Sequence, residues 1–228
     1  MENNILVVVA HPDDEVLGCG GTVSRLAAEK NNIYIAILGE GITSRDEKDK
    51  KASKGGVDEL KRISCEVSKK LGAKGIFHFD LPDNRFDTVP MLDIVKKVEK
   101  LIEELAPSTV FTHYSSDINI DHQITSRAVL TAARPIGGNP VKEIYMFETP
   151  SSTEWAFGQI KPDFQPDVFY DISNTLENKI QALEMYESEM RDFPHPRSPK
   201  ALTAIAQRWG SVSGSTAAEA FKLLLSIR

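Results

Sequence analysis

The segment AHPDDE, residues 10–15, places an imidazole and three carboxylates directly behind a β-branched run, Val7 to Val9. His11 and Asp14 stand three residues apart in one turn. That pairing suits a zinc ion, which takes three protein ligands in catalytic sites and keeps a position open for water and substrate. A second candidate ligand, His122, ends the segment THYSSDINIDH, with Asp121 beside it near a helix N-cap position. His11, Asp14 and His122 together would make a centre that lowers the pKa of a bound water to about 7. Asp13 is then the spare acid, able to take the proton of that water. The same residues also suit a plain turn, in which Pro12 sets the backbone and an aspartate caps the helix that begins near Val16.

Elements of the right kind stand where these residues need them. Apolar runs at Ile5–Ala10, Ile33–Leu38, Ile76–Phe79, Thr109–Thr112 and Glu143–Phe147 read as strands. Helical spacing marks Leu17–Glu29, Val57–Leu71, Met91–Leu105 and Ile124–Ala133, and Gly39 to Lys54 reads as a long polar loop. This alternation predicts an α/β protein: a three-layer α/β/α sandwich around a mainly parallel, Rossmann-like sheet. Beyond residue 150 the pattern changes to a strand near Val168–Ile172, a helix at Leu176–Met190, and helices at about 199–209 and 215–226. The expected organisation is one domain over residues 1–228, with a core to about residue 150 and a C-terminal helical extension. In open α/β sheets, ligands bind beyond the carboxyl ends of the strands. Both histidine segments, Gly39-Glu-Gly, Leu81-Pro-Asp-Asn and Glu148–Trp155 all follow strands, so all fall on that edge.

Bulk composition narrows the class. The chain has 228 residues, 41% of them apolar, and a net charge of −6, with no long basic run. A nucleic-acid or anionic-membrane binder is therefore not expected. Its two cysteines, Cys19 and Cys65, lack the spacing of a zinc ribbon. No apolar run reaches the roughly 18 residues of a membrane span. Met1-Glu-Asn-Asn runs directly into a strand rather than a signal peptide. A cytoplasmic location is expected. GCGG at 18–21 lacks the spacing of a dinucleotide fingerprint and reads as close helix–sheet packing.

The two histidine motifs together carry a family resemblance. AHPDDE at Ala10–Glu15 and NIDH at Asn119–His122 resemble the paired motifs of the LmbE-like (PIG-L-type) zinc N-deacetylases. LPDNRFD after the third strand and LTAARP at 130–135 extend the resemblance over at least residues 4–150. It implies Zn2+, or another divalent transition metal, on His11, Asp14 and His122, with Asp13 as general base. The implied reaction removes an acetyl group from an N-acetyl amino sugar of the N-acetylglucosamine type, free or nucleotide- or carrier-linked. It also implies a homo-oligomer. The chain departs from the family at Asn119, where a histidine that helps polarise the carbonyl is usual; His113 and His195 are the candidate substitutes. It departs again at Gly56, the place of a substrate-binding arginine, for which Arg45 or Arg85 could stand in, with Asp83 from the L-x-D segment nearby.

Two further segments would shape specificity. In ETPSSTEW (148–155), Trp155 offers a flat face to a sugar ring or base. In FPHPRSP (193–199), His195 and Arg197 on a proline-stiffened loop suit a phosphate or carboxylate. Core packing for Trp155 and a linker role for the proline segment are the structural alternatives. Two other functions stay open: a hydrolase of another small amide conjugate, and a non-catalytic metal- or sugar-binding member.

Overall fold

The computed structural model describes residues 3–42 and 50–228. A single mixed sheet of order β3-β2-β1-β4-β5-β7-β6 runs through it. Its parallel part comprises β1 (Asn4–Val9), β2 (Asn32–Gly39), β3 (Gly75–Leu81), β4 (Thr109–His113) and β5 (Glu143–Phe147). The strand β7 (Ala218–Ser226) lies antiparallel between β5 and β6 (Val168–Asp171). Among the described residues, six α-helices flank the sheet: α1 (Asp14–Ala28), α2 (Lys50–Lys70), α3 (Met91–Leu105), α4 (Ile120–Ala132), α5 (Leu176–Glu184) and α6 (Pro199–Ser213). Among the described residues, no helix is long and apolar enough to cross a membrane.

The continuous apolar run of β1 follows from its place at the centre of a parallel sheet covered on both faces. Side chains alternate across a strand. Ile5, Val7 and Val9 therefore pack with Leu17 and Val23 of α1 and Leu183 of α5, while Leu6, Val8 and Ala10 pack with Ile94 and Val98 of α3 and Val129 of α4. The chain turns outward from β1 to β2 and β3, then returns to β4 on the other side of β1. That reversal makes the crevice beyond β1 and β4 the topological switch point, where the loops 10–13 and 114–119 meet.

The segment expected as a helix at 215–226 is instead β7. Ala, Glu, Lys and Leu there favour a helix in isolation. Pairing on both sides overrides that preference, with Phe221 opposite Phe147 of β5 and Ala220 opposite Phe169 of β6. The last helix of the chain is α6, which runs to Ser213. Helix α5 ends at Glu184 rather than Met190, and α4 begins at Ile120 rather than Ile124. Both changes bear on the site.

Strand β7 also repairs a break in α1. At Cys19 the backbone leaves helical values (φ −148°, ψ 18°), orphaning donors and acceptors in the middle of the helix. Glu219 of β7 accepts from Gly21 N (3.0 Å) and Thr22 N (2.7 Å), and Lys179 of α5 donates to Leu17 O (2.9 Å) and to Glu219 (2.5 Å). The glycines make room: a Cβ on Gly18 would lie 2.2 Å from the Phe147 ring, and one on Gly21 2.8 Å from Ile172. Glu219 and Lys179 are both buried, so removing one strands the other. Glu219→Leu is expected to lower unfolding stability by about 3–5 kcal/mol, the usual cost of breaking a buried pair from one side. Urea denaturation measures it, and a loss below about 1 kcal/mol would show the pair to be dispensable.

Candidate active site

The first loop is built by Asp14. Chain leaving β1 turns at Pro12, and the Asp14 carboxylate accepts from His11 N (2.8 Å), closing the turn from inside α1. The opposite wall needs a glycine. Gly41 has φ +78°, and a Cβ there would lie 2.6 Å from the Pro12 ring.

Asp14 Oδ2 lies among three imidazoles: His122 Nε2 at 3.3 Å, His11 Nδ1 at 3.4 Å and His113 Nε2 at 3.4 Å. All four residues are buried. Two of the imidazoles have their other nitrogen beside a carboxylate, a placement that orients ligand rings in metal sites. His11 Nε2 meets Asp121 Oδ2 (2.9 Å) and Asp83 Oδ1 (3.3 Å). Asp121 in turn accepts from Asn84 N (2.6 Å) and Phe86 N (3.0 Å). His122 Nδ1 lies 3.2 Å from Asp117, whose carboxylate accepts from Ser152 Oγ, Thr153 Oγ1 (2.7 Å) and Asn119 N (2.8 Å).

Among the described residues, two groups of side chains are close enough to share a cation: His11, Asp14 and His122, and His11, Asp83 and Asp121. Asp121 already spends both oxygens on backbone amides and His11, so it acts as the brace of the first group. In that first group, Asp14 Oδ1 and His122 Nε2 are buried without a hydrogen bond, as is His122 Nδ1 facing Asp117. Buried polar atoms left without a hydrogen bond are rare and costly. A cation held by Asp14, His122 Nε2 and His11 Nδ1 would satisfy the first two, so the residues fit a metal of the type that takes nitrogen and oxygen ligands.

Electrostatics agree with this division. Burial alone would raise Asp14, but His122, His113 and His11 hold its carboxyl well below the usual range. Against their own burial, His11 is raised to about 10 by Asp121 and Asp14, and His122 to about 9 by Asp14 and Asp117. His113 goes the other way, lowered to about 4 by burial and by His122. Both of its nitrogens are occupied: Nε2 accepts from Ala10 N (2.9 Å), and the Nδ1–H then donates to Thr149 Oγ1 (3.0 Å). Its ring stacks on His122 at 3.9 Å. His113 thus stands as a neutral wall behind His122.

Asp13 faces elsewhere. Its carboxylate pairs with Arg197 Nη1 at 2.7 Å, and Arg197 is held by Ser151 Oγ (2.8 Å) and Glu189 (3.5 Å). Burial pushes the Asp13 carboxyl well above its ordinary value, against the pull of Arg197. Consecutive aspartates are thereby assigned to different neighbours, Asp14 to imidazoles and Asp13 to a guanidinium.

The remaining predicted residues are dispersed. Asn119, not Asp121, is the N-cap of α4: its Oδ1 accepts from Asp121 N (2.8 Å), and its Nδ2 reaches Asn84 Oδ1 (3.4 Å). Asp83 is buried beside His11, whereas Arg85 is exposed one turn away. Arg45 lies outside the described residues. Trp155, 39% exposed, meets His195 edge to face at 5.6 Å, which places the 148–155 and 193–199 segments side by side. Sequence reasoning did not single out Asp117, Thr149, Glu189 or Tyr186. Asp117 and Thr149 lay within segments already marked, but their neighbours across the loops are set only by the fold.

The family model described as PIG-L, GlcNAc-PI de-N-acetylase, matches residues 6–133. The uncharacterized deacetylase YaiS of Escherichia coli is 29% identical over 192 residues, 81% of this chain and 90% of its own. A probable N-acetyl-alpha-D-glucosaminyl L-malate deacetylase 2 of Bacillus cereus is 26% identical over 195 residues, covering 83% of this chain and 84% of that one. Among solved structures, the N,N'-diacetylchitobiose deacetylase of Pyrococcus horikoshii superposes with a TM-score of 0.77 at 21% identity, over 98% of this chain and 84% of that one, which shows a shared fold.

Proposed function

We propose, from the premise that the chain belongs to the PIG-L family of de-N-acetylases, that it is a zinc-dependent hydrolase of N-acetyl amino sugars. The observation that carries the reading is the division of roles in the turn after β1: Asp14 gathers the imidazoles that could hold a cation, and the neighbouring Asp13 carboxylate is held by Arg197 rather than by those imidazoles. The Bacillus cereus relative bears the name of a deacetylase of a glucosaminyl conjugate, in keeping with a sugar acetamide as substrate.

His11, Asp14 and His122 would hold the ion. A bound zinc supplies Lewis acidity toward the acetamide oxygen and lowers the pKa of water. Asp13 receives the proton of the attacking water and returns it to the amine nitrogen as the C–N bond breaks, giving acetate and the free amino sugar. Burial raises the Asp13 carboxyl above its ordinary value, against the pull of Arg197, so it holds a proton more firmly than an exposed carboxylate does. Trp155 and His195 present an aromatic edge to the sugar, and Asp83, Arg85 and Asn119 line the approach from the opposite loops. Asn119 can donate a hydrogen bond but no proton, so proton transfer falls to Asp13.

Arg197, expected from the sequence to hold a substrate anion, serves in this reading to hold the base. Losing a charged hydrogen bond costs about 1.5–3 kcal/mol, or roughly 10- to 100-fold in rate. Arg197→Gln is therefore expected to lower kcat by that factor with little change in KM, whereas a substrate-anchoring arginine would raise KM. Steady-state kinetics separate the two.

The function is tested by an amine-release screen over N-acetylglucosamine derivatives, free and nucleotide-linked, with added zinc. Turnover of an N-acetyl sugar supports the proposal. Release only from other acetamides would favour a conjugate hydrolase, and no release with sugar binding retained would favour a non-catalytic member.

A further inference from the structure

We propose that Tyr186 is a positioning residue for Asp13, acting through the carboxylate of Glu15. The proposal rests on Asp13 being the base of the hydrolysis.

Asp13 has φ +102° and ψ −27°, a left-handed backbone that L side chains rarely adopt. Something must hold it there. Its carbonyl is engaged by the first turn of α1, accepting from Val16 N (3.0 Å) and Leu17 N (2.9 Å). Its N–H donates to Glu15 Oε2 at 3.1 Å. The other oxygen of Glu15 accepts from the Tyr186 hydroxyl at 2.6 Å. Glu15 and Tyr186 are both fully buried, and Ser64 of α2 also neighbours the hydroxyl.

A helix start that needed only packing would not bury an acid, because an enclosed carboxylate is expensive unless its oxygens are satisfied. Here both are satisfied, one by the backbone of the proposed base and one by Tyr186. A phenylalanine at 186 would fill the same space. The hydroxyl is therefore the part of Tyr186 that packing does not explain.

The position of Tyr186 adds a second grip. It sits in the tight turn after α5, where Glu189 N and Met190 N both bond back to the Tyr186 carbonyl. That turn also carries Glu189, which meets Arg197, which meets Asp13. One turn from the C-terminal part of the chain thus holds Asp13 at its N–H through Tyr186 and Glu15, and at its carboxylate through Glu189 and Arg197. Both grips come from outside residues 6–133, the part matched by the family model. Loss of the Tyr186 arm would let the backbone of residue 13 relax and swing the carboxylate away from Arg197.

The test is a double-mutant cycle on N-acetylglucosamine, followed by amine release in the zinc-loaded protein, together with a crystal structure of Tyr186→Phe. Tyr186→Phe is expected to lower kcat about 10-fold with KM and metal content unchanged. In an Asp13→Asn background it is expected to cause no further loss, since the group it positions is gone. Glu15→Gln, which keeps the side-chain volume but cannot accept from both partners, is expected to behave the same way. In the Tyr186→Phe crystal, Asp13 is expected to have lost its 2.7 Å contact with Arg197. Wild-type kcat in Tyr186→Phe, the same fold-loss in both backgrounds, or an Asp13 unmoved in the crystal would each overturn the proposal. Full turnover by Asp13→Asn alone would instead overturn the base assignment and the positioning role with it, and it is seen in a variant that leaves Tyr186 intact.

Discussion

Asp13→Asn is expected to keep its metal and its fold while losing about 10³-fold in kcat, within the 10²–10⁴ range that a general base supplies. The metal should stay because the Asp13 carboxylate is turned to Arg197, whereas the proposed ligand set consists of Asp14 and imidazoles. Stability should not suffer. A buried carboxyl held above its ordinary pKa is a load on the folded state once ionised. In the metal-free protein this load grows as pH rises past the unfolded value of about 3.9. Asparagine removes it, and also tolerates the left-handed backbone at this position better than most residues. The metal-free wild type should therefore lose stability relative to Asp13→Asn as pH rises above about 4. Activity near wild type would remove Asp13 from the mechanism. Loss of metal together with activity would move it into the ligand set.

How far the site was legible depended on how local each contact is. AHPDDE could be read because its strand is buried on both faces and its turn is closed within three residues, by Asp14 on His11 N. The pairing of His11 with His122 followed from the rule that loops after neighbouring parallel strands converge. Asp121 was placed at a cap because acidic residues are common at helix starts. The structure moves the helix start to Ile120, gives the cap to Asn119 and turns Asp121 inward to His11. A shift of a few residues at a helix boundary thus changes which side chain caps the helix and which one braces His11. His113 was a candidate for chemistry because it stands at a strand end. Its ring is consumed by Ala10 N and Thr149, two partners that no spacing announces.

The C-terminal part was read least well, for a physical reason. Strand β7 has the composition of a helix and becomes a strand because two edges, β5 and β6, are there to pair with it. Tyr186, Glu189 and Arg197 lie far along the chain from Asp13 and reach it only once the turn after α5 and the proline-rich loop have docked on α1. FPHPRSP announced a rigid loop bearing a cation. What that cation meets is a carboxylate of the protein itself.

His122→Ala is expected to abolish stoichiometric metal binding, and Asp117→Asn to weaken it by about 10–100-fold, the usual effect of losing a group that orients a ligand histidine. The difference in size is the argument. His122 Nε2 faces Asp14 Oδ2 at 3.3 Å, among the atoms that could share an ion, so on the proposed ligand set removing the ring deletes a ligand. Asp117 touches only the far nitrogen, so its loss leaves the ligand present and less well aimed. Binding should also be linked to protons. Without an ion, the carboxylates around His11 and His122 keep these rings protonated to about pH 10 and pH 9. A metal ligand must be the neutral imidazole, so loading near pH 7 should release protons and affinity should climb as pH rises toward 9. Calorimetry with zinc in buffers of different ionisation enthalpy counts those protons, and elemental analysis of the purified variants gives the stoichiometry. Metal content unchanged in both His122→Ala and His11→Ala would dismiss the ligand set. An affinity indifferent to pH would mean that Asp14 and Asp121 orient these imidazoles without charging them.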